Sequence, residues 1–312
     1  MPTKRNPITK KREVDDVLIL DEDAIRSLLT MQDLIPAIAG ALADLSCGKV
    51  LQPVRSVLSI AEHQGFFGLM PAYNGSLGAK LVTFYPNNKG VPTHHAMILL
   101  FKAETGEPIA VMDGRLITEM RTAAASAVAT DLLARRDSHV LAILGSGVQA
   151  HSHLEALRLV REFREVRVWS PKSAKAFAEV HGVIAAESAE NAVRGADVVV
   201  TATSSTTPVL MGRWLSPGCH INAVGACRPD WRELDDEALA RAKIFVDSRD
   251  AAMKESGDVI AAGHIFAEIG EVAGKVQPGR QSDDEITLFK SLGVAVEDIA
   301  AADLVYRKAA NL

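Results

Sequence analysis

The amino-acid sequence predicts an α/β chain with two sheets of different kinds, one parallel and doubly wound, the other antiparallel. Three stretches predict it. Between residues 50 and 114, five short apolar runs follow one another with turn signals and no helix between them. Residues 139–150, HVLAILGSGVQA, read as a buried strand that breaks into a glycine turn and then a helix. From 165 to 247, hydrophobic runs alternate with helical patterns, as parallel strands joined by helices do.

Taken in order, residues 1–14 hold Lys4, Arg5, Lys10, Lys11 and Arg12 but no apolar segment, so a disordered basic arm is expected and a secretory signal is not. Asp21 is placed to cap a short helix reaching about Leu29. Thr30 or Asp33 opens a second, with Pro36 near its first turn, Gly48 at its end, and Ile35, Ile38, Leu42 and Leu45 along one core stripe. The apolar runs 55–60, 65–70, 79–85, 96–101 and 108–113 are separated by Asn74-Gly75, by residues 87–90 and by Thr105-Gly106, which argues an antiparallel sheet. In it Lys80 alternates with Val82 and Phe84, and Arg55 with Val57, so each cation shares a face with apolar neighbours. Two readings stay open: long side chains snorkelling at a sheet margin, or two cations aimed into an apolar pocket to hold an anion.

An alanine-rich helix is predicted over 116–135; the small residues after Arg121 and Thr122 favour a buried junction with the first parallel strand. In the turn that follows, Gly145 permits a tight bend and Gly147 a close backbone approach to a pyrophosphate. Ala150 lets helix and strand pack closely, and the helix start near Val148 and Gln149 offers N–H groups to phosphate. This is a dinucleotide site of Rossmann type. Further strands are expected at 165–169, 183–185, 196–202, 220–224 and 244–247, with helices at 151–162, 174–180, 188–194 and 234–242. Thr203 opens a loop at a strand's carboxyl end, where such sheets bind ligands. NAD sites usually carry an acid after the second strand; here Ser170-Pro171-Lys172 stands there instead. Ser170 and Lys172 suit a 2′-phosphate, so NADPH is preferred over NADH as the expected cofactor.

With 48% hydrophobic and 23% charged residues and a net charge of −5, the 312-residue chain reads as globular. It shows no electrostatic footprint for nucleic acid or an anionic membrane. Its apolar runs fall short of the ~18 residues of a membrane span. Cys47, Cys219 and Cys227 lack C-x-x-C spacing, so neither a disulfide framework nor a zinc site is expected and a cytoplasmic location is.

Longer strings are distinctive together: GLMPAY (68–73), KLVTFY (80–85), AVMDG (110–114), RTAA (121–124), GSGVQA (145–150), INAVGA (221–226), RPDWREL (228–234), KESGD (254–258) and FKSLG (289–293). Through them the chain, from about residue 50 to 306, resembles the ornithine cyclodeaminase/μ-crystallin family, on its μ-crystallin side. The resemblance implies a Rossmann domain, 122–290, inserted into a substrate-binding and dimerisation domain made of 15–121 and 291–312, in a homodimer. It implies that Arg55, Lys80 and Arg121 form the catalytic set around a substrate carboxylate, with Phe84, Thr93, Cys227 and Arg228 lining the pocket. On the cofactor side it implies Arg121, Thr122, Gly145, Gly147, Val148, Gln149, Ser170, Lys172, Thr203, Val224 and Ser291.

The family's cyclodeaminases carry an aspartate two residues after the glycine of Asn-Ala-Val-Gly; here that position is Cys227. A thiol is a poor carboxylate substitute as base at neutral pH. The activity the resemblance implies is therefore reduction of a cyclic ketimine carboxylate by NAD(P)H, Δ1-pyrroline-2-carboxylate or Δ1-piperideine-2-carboxylate to L-proline or L-pipecolate. Ornithine cyclodeamination, alanine-dehydrogenase-like amination of a small 2-oxo acid, and a non-enzymatic ligand-binding protein are the alternatives. His94 and His95 are expected to be structural, and Glu297 and Asp298 to serve packing or polar contacts.

Overall fold

The computed structural model describes residues 17–312; the basic arm expected over 1–14 lies outside them. The chain begins with β1 (Leu18–Leu20), α1 (Glu22–Leu28) and α2 (Met31–Ser46). Asp21 accepts from the Ala24 amide at 2.9 Å and Thr30 from the Asp33 amide at 3.3 Å, so both helices start on side-chain caps. Thr30 is thus the cap of α2, which leaves Pro36 inside the helix and not in its first turn.

The strands β2 (Ser56–Ile60), β3 (Gly65–Tyr73), β4 (Leu77–Phe84), β5 (His94–Phe101) and β6 (Pro108–Asp113) form an antiparallel meander. Its far edge holds an unexpected sixth strand, since β1 pairs parallel with β6. Three residues are too few for a period-two pattern to announce. Met70, Lys80, Ile98 and Met112 are register partners across four strands and all are buried. That row defines the inner face, against which the last helix packs.

Helix α3 (Arg115–Leu133) leads out of this sheet and is buried along most of its length, from Met120 to Thr130. It enters a parallel sheet built from β7 (Val140–Leu144), α4 (Val148–Arg158), β8 (Glu165–Trp169), α5 (Ala174–His181), β9 (Ile184–Ala185), α6 (Ala189–Val193), β10 (Val198–Thr201) and β11 (His220–Ala223). Then come α7 (Asp236–Arg241), β12 (Ala242–Val246), α8 (Arg249–Glu255), α9 (Gly257–Ala262), β13 (Ala267–Glu268), α10 (Ile269–Ala273) and β14 (Ile286–Lys290). Helix α11 (Ala295–Ala309) returns to the inner face of the first sheet, touching β3, β4 and β5. The eight strands run β13-β12-β14-β11-β10-β7-β8-β9, all parallel. From β7 the chain goes to β8 and β9 on one side and to β10 and β11 on the other. The strand order therefore reverses between β7 and β10, the place at which sheets of this kind bind ligands.

Two differences from the sequence reading matter. Helix α4 begins at Val148, three residues earlier than expected, so the glycine turn leads straight into it. The central strand β14 and helices α8 to α10 were not anticipated. Every residue of β14 is buried, including Lys290, and so short a two-sided run lacks the alternation that identifies a strand.

Candidate active site

Lys80 is the only polar member of the inner row, and only 2% of it is exposed. A lone ammonium there would cost several kcal/mol, so it needs a counter-charge. Asp298, in the first turn of α11, supplies it at 2.7 Å. Burial pushes the Lys80 ammonium down to about 8, although Asp298 pulls the other way. Arg121, on α3, donates from Nε to Asp298 at 3.0 Å and from Nη1 to Glu297 at 2.8 Å. Burial would lower its proton affinity, but these two carboxylates hold it above the ordinary arginine range. Arg55, just ahead of β2, donates from Nη2 to the carbonyls of Leu292 (2.9 Å) and Gly293 (2.7 Å), and its Nε pairs with Glu255 at 3.1 Å.

The three cations thus meet on one short segment. Gly293 has φ +77°, and a β-carbon there would lie 2.3 and 2.4 Å from Nη1 and Nη2 of Arg121. One guanidinium grips this residue's carbonyl while the other lies against its α-carbon. Among the described residues, Nη1 of Arg55 and Nη2 of Arg121 make no hydrogen bond to protein. Two guanidinium groups with one free nitrogen each, on either side of a glycine, suit a small carboxylate.

Phe84 lies on the same face, opposite Phe66 and His94 in the ladders. The Arg228 guanidinium, from the loop after β11, covers Phe66 at 4.2 Å and so joins the two sheets across the cleft. His94 departs from the expected structural role: among the described residues its ring makes no hydrogen bond to protein. Burial, with Lys80 and Arg121 nearby, pushes it down to about 4, so it stands neutral. Thr93 is exposed, and its carbonyl accepts from the Tyr85 amide at 2.7 Å; nothing ties its side chain to the cations.

The nucleotide end is built on the turn after β7. Gly145 has φ +114°, and a β-carbon there would lie 2.3 Å from the Ala202 carbonyl oxygen, so the fold itself requires glycine. Gly147 is different. Its backbone is extended and a β-carbon would meet nothing within 4 Å. The space in front of it is open, and no side chain caps α4. Such a cradle fits a pyrophosphate, which a side chain at 147 would displace. Val148 is exposed at the helix start, and the Gln149 side-chain oxygen is buried without a partner. Ser170 follows β8, and the Ser146 hydroxyl lies 2.7 Å from those of both Ser170 and Ser173; Lys172 is exposed beside them.

At the carboxyl ends of β10, β11 and β14 the expected contacts divide. Val224, Cys227 and Ser291 come together: the Cys227 thiol points to the carbonyls of Val224 (3.5 Å) and Ser291 (3.9 Å). Burial pushes that thiol up, with Lys290 and Arg55 only partly offsetting it, so Cys227 stays protonated. Thr122 spends its hydroxyl on the Thr118 carbonyl of its own helix. Thr203 gives both its amide and its hydroxyl to Glu233, at 2.8 and 2.7 Å, so both of its donors are engaged inside the protein.

The family model of the ornithine cyclodeaminase/mu-crystallin family matches residues 15–311. The chain belongs to this family. The ketimine reductase mu-crystallin of Macropus fuliginosus is 50% identical over 299 residues, 91% of this chain and 95% of that protein. Among solved structures, the Thermococcus litoralis Δ1-pyrroline-2-carboxylate reductase in complex with NADH and L-proline superposes with a TM-score of 0.91. It is 40% identical, over 95% of this chain and 98% of that one. An archaeal alanine dehydrogenase dimer with bound NAD gives 0.89 at 39% identity, over 95% and 96%.

Sequence reasoning missed the counter-charges. Glu297 and Asp298 make the polar contacts expected of them, but with partners the sequence did not indicate: Asp298 bridges Lys80 and Arg121, Glu297 pairs with Arg121, and both carboxylates are fully buried. Glu233, inside the family string RPDWREL, collects the Thr201 hydroxyl and the Gly225 and Ala226 amides besides Thr203. A β-carbon at Gly225 would lie 2.3 Å from its carboxylate, so that glycine makes room for Glu233. The one local signal was a pair of acids set between apolar residues, Val296 and Ile299.

Proposed function

We propose that this chain is an NAD(P)H-dependent ketimine reductase that converts a cyclic imine carboxylate, Δ1-pyrroline-2-carboxylate or Δ1-piperideine-2-carboxylate, to L-proline or L-pipecolate. The observation that carries the reading is the pair of unengaged guanidinium nitrogens, Arg55 Nη1 and Arg121 Nη2, flanking Gly293. They would hold the carboxylate, and fixing a reactant in this way supplies on the order of 7–11 kcal/mol of barrier reduction in the best cases. The nicotinamide, when bound, supplies the hydride. Lys80 holds a proton it can surrender near neutral pH and is the group to place it on the imine nitrogen. Phe84 walls the ring, and Arg228 stacked on Phe66 excludes water. Cys227, held as a thiol, gives deamination no base at the position where the cyclodeaminases have aspartate. Relatives named for ketimine and pyrroline-2-carboxylate reduction support the same activity.

NADPH is the preferred cofactor because Ser170 and Lys172, and no acid, follow β8. The division into a Rossmann domain, 122–290, and a substrate domain, 15–121 plus 291–312, follows the two sheets. A homodimer would cover the outer face of the first sheet, where Leu58, Phe67, Leu69 and Met97 are exposed together. Three free cysteines suit the cytoplasm. No single helix among the described residues is long and apolar enough to cross a membrane.

The deciding experiment follows nicotinamide absorbance with both cyclic imines, with pyruvate plus ammonia, and with ornithine, each with NADH and NADPH. Turnover should be fastest with the cyclic imines. Faster oxidation with pyruvate and ammonia would replace this reading by an alanine-dehydrogenase one. Ammonia released from ornithine without net absorbance change would establish cyclodeamination.

A further inference from the structure

The charge balance around the carboxylate fork is settled before any substrate arrives. Arg55, Lys80 and Arg121 face Glu255, Glu297 and Asp298, and Asp247 lies against the same segment. With every group ionised, four carboxylates stand against these three cations; Lys254, which also acts on Glu255, is exposed to solvent. A substrate carboxylate adds another negative charge to a largely buried pocket, where an unmatched charge is costly. The least expensive remedy is for one of the four to take a proton.

The four are not equally supported. Asp298 has two cations, Lys80 and Arg121. Asp247 accepts from three backbone amides, those of Ser248 (2.8 Å), Leu292 (2.6 Å) and Gly293 (2.7 Å). Glu255 pairs with Arg55 and keeps some contact with solvent. Glu297 is fully buried, receives a single hydrogen bond from Arg121 on Oε2, and its Oε1 has no partner.

We propose that Glu297 carries a proton whenever a substrate carboxylate occupies the fork, so that in alkaline solution, where the side chain is ionised beforehand, anion and proton bind together. This rests on the carboxylate reading of the site given above. The proton comes from solvent and forms an O–H bond on Glu297; no bond in the substrate is made or broken. Every charged group facing Glu297 enters the balance: Arg121 from α3 and Lys80 from β4 favour its ionised form. Asp247 after β12 and its neighbour Asp298 oppose it. Burial is the largest influence, and together they push Glu297 up to about 8 before substrate adds a further anion. Lys80 titrates in the same region and would also gain proton affinity from a bound anion, so a test must separate the two.

The probe is pyrrole-2-carboxylate, a planar analogue that cannot accept hydride at an imine, titrated calorimetrically into the NADPH-loaded protein. Buffers of different ionisation heat give the number of protons taken up. At pH 6.5, where Glu297 is already protonated, uptake should be near zero. At pH 9 it should lie between about one and two, with affinity falling about tenfold per pH unit for each proton. Glu297→Gln should take up about one proton fewer than wild type at pH 9, whatever its affinity for the probe. A side chain that only packs would leave that count unmoved. Equal counts in the two proteins overturn the proposal. So does uptake below about half a proton by the wild type at pH 9, which needs no variant to fold. Absence of binding at pH 6.5 refutes the carboxylate reading and the proposal together; binding without proton uptake at pH 9 refutes the proposal alone.

Discussion

Replacing Gly293 by alanine tests the carboxylate fork at its hinge. Two costs follow from the geometry. The backbone at φ +77° disfavours a β-carbon by about 1–2 kcal/mol. The new carbon would also lie 2.3–2.4 Å from the Arg121 terminal nitrogens, so the guanidinium must move. It is tied to Asp298 and Glu297, both fully buried, and has little room to do so without weakening those pairs. On the proposed reading, a displaced Arg121 would lose a charged hydrogen bond to the substrate, worth about 1.5–3 kcal/mol, so kcat/KM for the cyclic imine should fall about ten- to hundredfold. NADPH affinity, which depends on the turn after β7, should change less than about threefold, well under 1 kcal/mol. Gly48→Ala is the control: its φ is +73° but a β-carbon there meets nothing within 4 Å. It should share the loss of stability and keep full activity. If Gly293→Ala retains kcat/KM within threefold of wild type while Gly48→Ala behaves as stated, the two arginines do not form the fork.

Lys80→Met should abolish turnover while NADPH still binds, read by nicotinamide fluorescence; near-normal kcat removes Lys80 from the reaction. Gly147→Val should leave the unfolding midpoint unchanged and weaken NADPH binding at least about tenfold, more than 1 kcal/mol. Gly145→Ala should instead lower the midpoint, because its β-carbon meets the Ala202 carbonyl. Ser170→Asp should raise KM for NADPH far more than for NADH, since a carboxylate there repels a 2′-phosphate and accepts from a 2′-hydroxyl; an equal effect on both cofactors argues against a 2′-phosphate at Ser170. Acid stability follows from two buried histidines. Burial pushes His153 down to about 4 and His220 to about 3, so both are neutral in the fold and bind protons only once it opens. Their contribution is complete above the unfolded value near 6.5 and is lost as pH falls, about 2 kcal/mol each by pH 5. Urea midpoints of His153→Gln should fall less steeply over that range than those of wild type, and an identical slope would refute the assignment.

What could be read in the sequence was local. The turn from Gly145 to Ala150 is legible because its requirements, a left-handed residue and a close backbone approach, fall on adjacent positions. Strand alternation placed Lys80 on the face of Val82 and Phe84 for the same reason. Snorkelling at a margin was the competing reading for that lysine, and at 2% exposure Lys80 does not reach solvent. Its partner was out of sight. Asp298 lies more than two hundred residues away, beyond the whole parallel sheet, and no periodicity links the two. Gly293 appeared only as the end of FKSLG; its contacts with two arginines depend on β14 running through the centre of the sheet. Thr203 shows the opposite limit. A hydroxyl at a strand's carboxyl end is well placed for a cofactor, but Glu233, thirty residues on, takes both of its donors.

The division of labour between chain segments follows from the cost of buried charge. Lys80 and Arg121 come from the first sheet and the helix leaving it, yet neither is tolerable there alone, since breaking a buried pair typically costs about 3–5 kcal/mol. Their carboxylates arrive on α11, after the chain has built the entire parallel sheet and returned. The cluster of Lys80, Arg121, Glu297 and Asp298 is therefore complete only once the last helix has docked on the inner face of the antiparallel sheet. The carboxylates that balance Arg121 engage its Nε and Nη1, and the Leu292 and Gly293 carbonyls engage Nη2 of Arg55. Arg55 Nη1 and Arg121 Nη2 are left without a protein partner among the described residues, and on the proposed reading that pair has room for a single small carboxylate.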